Sequence, residues 1–158
     1  DGMIVREITR RCDHNPDHVA KIKRWLEDCR GGTSRSRPED KIIMQLAELH
    51  KESGFMSARV LEYVDAANMG HLDRKALTSL VQNLPAKRFE VLSVHDCFRV
   101  LPNYGNDLRM QYNRILSEIT KSDLLSFLVS QIIKRKVPVN KLDPDLWKDI
   151  LEANYALT

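Results

Sequence analysis

The stretch "VLSVHDCFRV", residues 91 to 100, sets His95 and Asp96 between apolar residues on both sides. An ionised carboxylate is costly to bury unless it is paired or holds a cation. At the tip of a hairpin an acidic side chain can grip a divalent ion while staying open to substrate, because the strands fix its position. Two-metal phosphoryl transfer needs at least one more carboxylate, to hold ions ~3.5–4 Å apart. Asp96 therefore cannot do such chemistry alone. On the local residues, a hydrogen-bonded turn at a sheet edge accounts for the pair equally well.

The elements that position this pair are mostly helical. Asn15 and Pro16 open a helix carrying Val19, Ile22, Trp25, Leu26 and Cys29 at helical spacing, stopped by Gly31 and Gly32. Pro38 opens a second, with Ile42, Ile43, Leu46 and Leu49 on one stripe up to Gly54. A third is expected over Ser57 to Asn68, and a fourth from an Asp73 cap to Pro85. From Arg88 the period changes to two short Val- and Phe-rich strands folded about His95 and Asp96. Asn106 is expected to cap a long helix with Leu108, Tyr112, Ile115, Leu116 and Ile119. Ser122 should start another, whose Leu124, Leu125, Leu128, Val129, Ile132 and Ile133 face a core. A short terminal helix follows Asp143 and Pro144. The expected fold class is α+β: mostly helical, about seven helices around one central β-hairpin.

The 158 residues suit one domain. No apolar run is long enough to span a membrane, and the first residues meet charges too soon for a signal peptide. The expectation is a soluble, intracellular protein. Three cysteines at irregular spacing do not resemble a disulfide framework, and Cys12, His14, His18 and Cys29 match no common zinc spacing. The net charge is only +3. The cations nevertheless cluster, at Arg10 and Arg11, Lys21 to Arg24, Arg30 to Arg37, Lys87 and Arg88, and Lys134 to Lys136; such clusters can neutralise phosphates, and solvated helix faces equally carry cations by default. Arg30, Arg35 and Arg37 lie in a Gly/Ser loop from which they could track a backbone, although a plain flexible loop has the same composition. Trp25 and Trp147 occupy helix positions suited to packing. Cys97 has no neighbouring base to activate it.

"VLSVHDCFRVLPN" resembles the third catalytic motif of the phage-type single-subunit DNA-dependent RNA polymerases. "EYVDAANMGHLDRKAL" is similar to the segment preceding that motif in the family, and "WKDILEANYALT" to its extreme carboxyl terminus. "HDCFRVLPNYGNDLRMQYN" most resembles the giant virion-packaged phage polymerases. The likeness covers residues 55 to 158, a palm region, and leaves residues 1 to 54 as a helical segment without assigned role. It implies that Asp96 is one of two aspartates holding catalytic Mg²⁺, and that His95 lies beside the growing RNA end. It also implies that His71 approaches the product duplex and that the Thr158 carboxylate sits near the active site. The partners implied are template DNA, RNA product, nucleoside triphosphates and the remainder of the polymerase. The location implied is the cytoplasm of a bacterial host or a phage virion.

The family's first catalytic aspartate and its nucleotide-binding helix are absent, and Tyr104-Gly105 follows the His-Asp pair, reading as a loop. The expectation is a fragment, split subunit or remnant that does not polymerise alone. Two other classes compete with it. One is a catalytically silent helical module that binds nucleic acid or protein, which accounts for the basic clusters. The other is a metal-dependent phosphohydrolase built on a His-Asp pair, which His14, His18, His50 and His71 do not support as a ligand series.

Overall fold

A computed structural model of the chain describes residues 2–28, 37–95 and 97–154, Glu39 by its backbone alone. The architecture is α+β: mostly helical, with one two-stranded antiparallel sheet. Among the described residues the α-helices are α1 (Gly2–Cys12), α2 (Pro16–Glu27), α3 (Lys41–Ser53), α4 (Val60–Tyr63), α5 (Arg74–Gln82), α6 (Gly105–Lys121), α7 (Leu124–Ile133) and α8 (Leu146–Glu152). The strands are β1 (Leu92–Val94) and β2 (Cys97–Arg99), between α5 and α6. No helix among the described residues is long and apolar enough to cross a membrane.

Local chemistry fixes several starts and stops. The Asn15 side chain accepts from the amides of Asp17 and His18, and Asp73 accepts from that of Ala76, each satisfying helix-start donors. Gly54 ends α3 at φ 73°, where a side chain would be strained. Three expectations fail for equally local reasons. The helix foreseen over Ser57 to Asn68 shrinks to α4, because Asp65 and Asn68 bond to the backbone instead: Asp65 accepts from the amides of Ala67 and Asn68, and Asn68 accepts from that of Asp65. Asn106 does not cap α6; a 3₁₀ turn at Pro102–Tyr104 leads straight in at Gly105, and Asn106 bonds Arg109 within the first turn. Ser122 stays outside α7, its hydroxyl accepting from the Leu124 amide.

Two apolar clusters support the fold. The larger joins Val19, Ile22, Ile43 and Leu46 to Val60, Leu61, Leu77, Leu80 and Val81, so residues on both sides of position 54 share one core. The smaller gathers Ile8 and Cys12 of α1, Phe89, Val91 and Ile115 of α6, with Phe98, Tyr104, Leu108 and Tyr112 packed against it. The helix α1 ties the two together. Its buried Glu7 accepts hydrogen bonds from the Ser57 hydroxyl and the Ala58 amide, and its fully buried Arg11 reaches Glu118 of α6.

Burial pushes the Cys12 thiol up to about 12, whereas Cys97 is exposed on β2. Since the thiolate is the reactive form, a Cys29→Ser chain treated with a thiol-alkylating reagent at pH 8 is expected to modify Cys97 promptly. Cys12 should react only at the rate of unfolding. Peptide mapping of the labelled chain reads this directly, and equal labelling of both sites would refute it.

Candidate active site

The strand pairing places the His-Asp pair at a turn. Leu92 faces Arg99, Ser93 faces Phe98 and Val94 faces Cys97, which leaves positions 95 and 96 as the two-residue connection. Hairpins of that length favour positive φ, and His95 adopts φ 55°. Asp96 lies outside the described residues. The hairpin is attached from one side. The Phe89 amide donates to the Cys12 carbonyl at 2.9 Å, Phe89 stacks on Tyr104 at 4.6 Å between centroids, and Phe98 meets Tyr112 of α6 at 5.9 Å. Its other side is exposed among the described residues. Leu92, Val94, Cys97 and Arg99 share one face by register and all are exposed, Leu92 and Val94 by 62% and 63%. The expected central, interior hairpin is thus a surface hairpin, because α1 and α6 cover only the Phe98 side.

The tail packs on the same helix. The helix α8 runs back along α6, held by polar side chains on its backbone. Ser117 donates to the Trp147 carbonyl at 2.8 Å, Asn113 to that of Ala153 at 2.7 Å, and Arg109 to that of Asn154 at 2.5 Å. Each successive anchor lies nearer the start of α6, so up to Asn154 the chain runs toward that start. The terminal Thr158 itself lies outside the described residues. None of these α6 side chains stood out in the sequence; Asn113 and Ser117 are both buried.

The remaining candidates are placed apart from the turn. His71 ends a 3₁₀ turn at Met69–His71 and lines an open cleft of about 550 Å³ with His50, Glu48 and Asp73. Arg37 is held within the fold. Its guanidinium donates to Asp40 at 3.0 and 3.2 Å and to Asp65 at 2.7 Å, while Asn68 also donates to the buried Asp40. Arg35 lies outside the described residues. Among the described residues no group of three or more His, Cys, Asp or Glu side chains is arranged to hold a metal. At the turn itself the described donors are His95 and Cys97, whereas Mg²⁺ selects oxygen ligands. The side chains described there do not by themselves make a magnesium site, and Asp96 would need carboxylates brought by another segment.

The Arg37 guanidinium, followed by the Arg37 amide, holds the Asp40 carboxyl well below the usual carboxylate range. A carboxyl depressed in the folded state stabilises the fold above its unfolded value of ~3.9 and loses that contribution as pH falls. The urea midpoint is therefore expected to drop between pH 5 and pH 2, and to drop less steeply in Asp40→Asn. Parallel slopes for the two proteins would show that the pair is not coupled to folding.

No family model matches the chain, and no curated protein matches it significantly.

Proposed function

We propose that the chain is the carboxyl-terminal part of the palm of a phage-type single-subunit DNA-dependent RNA polymerase, contributing Asp96 to a two-metal nucleotidyl-transfer site. One observation carries the reading: the hairpin and the tail both pack on α6, Phe98 against Tyr112 at its middle and Asn154 against Arg109 one turn nearer its start. That is the neighbourhood the sequence resemblance implies for the metal-binding aspartate and the chain terminus. The exposed hairpin face also supports it. A two-stranded sheet is marginal by itself, and a face presenting Leu92 and Val94 to solvent suits coverage by further strands of a palm.

In this reading His95 lies beside the RNA end, His71 toward the product duplex, and Thr158 near the reacting groups. Arg35 contacts nucleic acid from its loop. Arg37, paired with Asp40 and Asp65, lies beside the same nucleic-acid surface. The other carboxylates for Mg²⁺ come from the rest of the polymerase, as do the groups that select the nucleoside triphosphate, and the chain alone does not polymerise. Run-off transcription by the polymerase reassembled with this chain, wild type against Asp96→Ala, tests the assignment; near wild-type transcript from the variant would sink it.

A further inference from the structure

We infer that the cleft between the carboxyl-terminal ends of α3 and α7 is a separate nucleic-acid-binding surface, gripping the phosphate backbone with Lys51, Lys134, Arg135 and Lys136. It does not depend on the polymerase reading. The cleft opens where α6 ends, since Asp123 lines it, whereas the hairpin packs on Tyr112. Its volume is about 1130 Å³, above the ~300–1,000 Å³ usual for a small-molecule pocket. An open cleft of that size suits a passing chain.

Its charge is uneven. Lys51, Lys134, Arg135 and Lys136 line it against two carboxylates, Glu52 and Asp123, and Asp123 already faces Lys141 at 3.7 Å. Among the described residues none of the four cations is in an ion pair, whereas Arg10, Arg11, Arg37 and Arg88 all are. The carboxyl-terminal dipole of α7 can account for a cation in its last turn, but that effect fades within one turn. It does not explain Arg135 and Lys136 beyond the helix, or Lys51 on α3.

The cations beyond α7 are also held in place. Lys134 turns the chain at φ 56°, the left-handed conformation in which helices usually end on glycine. Glycine would relieve ~1–2 kcal/mol of strain there, and lysine keeps the charge. The segment then folds back over α7, the amides of Val137 and Val139 each donating to a serine hydroxyl, Ser130 and Ser126, at 2.9 Å. The half-buried Phe127 and the amide of Gln131 complete the lining. A ring and a polar donor beside fixed cations suit a base and its phosphate better than an acidic peptide.

The test is fluorescence anisotropy with a short labelled single-stranded oligonucleotide and the full chain, without polymerase partners. Each phosphate contact contributes about −0.7 to the slope of log affinity against log salt, so three to four contacts predict a slope of about −2 to −3. The Lys134→Glu/Arg135→Glu/Lys136→Glu variant is expected to lose about tenfold or more in affinity and most of that slope. Reversal of Lys21, Lys23 and Arg24 on α2 changes net charge equally and should leave most of the affinity in place. Circular dichroism checks that each variant folds. Unchanged affinity in the first variant, equal loss in both, or poly-glutamate binding as tightly as the oligonucleotide would overturn the inference.

Discussion

Replacing Arg11 by alanine is expected to destabilise the protein by about 3–5 kcal/mol, the largest stability loss foreseen for any single side chain here. Its guanidinium is fully buried and donates to both Glu118 oxygens, at 3.1 and 2.5 Å, with Glu7 a further 3.8 Å away. Removing it takes the nearest cation from the buried Glu7 carboxylate, which keeps its Ser57 and Ala58 hydrogen bonds, and unties α1 from α6. Glu118 is 37% exposed, so Glu118→Ala leaves a charge that water can partly reach and should cost less. Urea denaturation of both single variants and the double variant measures the coupling. A loss below about 1 kcal/mol for Arg11→Ala would place this ion pair among ordinary surface pairs.

On the proposed palm assignment, Asp96→Ala in a polymerase reassembled with this chain is expected to lower run-off transcription by about 10³-fold, equivalent to ~4 kcal/mol of transition-state stabilisation. The argument is electrostatic. A carboxylate that holds a cation at the reacting phosphate neutralises charge that builds up only as the bond changes, so its loss falls on the rate of nucleotide joining. Stability should be spared, since the adjoining His95 and Cys97 are exposed and exposed substitutions usually stay within about 0.5 kcal/mol. A melting curve like that of the wild type, combined with lost transcript, separates a chemical role from a structural one. His95→Ala, which removes no carboxylate, should retain more activity than Asp96→Ala.

How much of this was legible in the sequence depends on the range of the interaction that decides each feature. Asn15, Gly54 and Asp73 act within a few residues, and each ends or starts a helix where its type and position indicate. The hairpin turn at 95 and 96 was readable because two short apolar runs flank a polar pair. Asp65 and Asn68 were equally local, yet helical spacing of Val60, Leu61 and Val64 masked their competing bonds to the backbone. The stripe on α7 misled in the other direction. Its spacing is helical, but among its apolar residues only Leu124 is buried, while Leu125, Leu128, Ile132 and Ile133 remain exposed, because α7 touches the body through one edge.

The amino-acid order by itself determined the helix boundaries at Asn15, Gly54 and Asp73, and that the period switches to strands before a bend at His95. These follow from backbone hydrogen bonds and side-chain spacing within one or two turns of chain. Only the tertiary structure decided that the hairpin sits at the surface with one face exposed, that the tail runs back along α6, and that Arg11 is buried on Glu118. It also decided that Arg37 is held by Asp40 and Asp65. Arg11 and Glu118 are 107 residues apart in sequence, and Arg37 and Asp65 are 28. Burial and charge pairing are set by which distant segments meet, and no local pattern encodes that meeting.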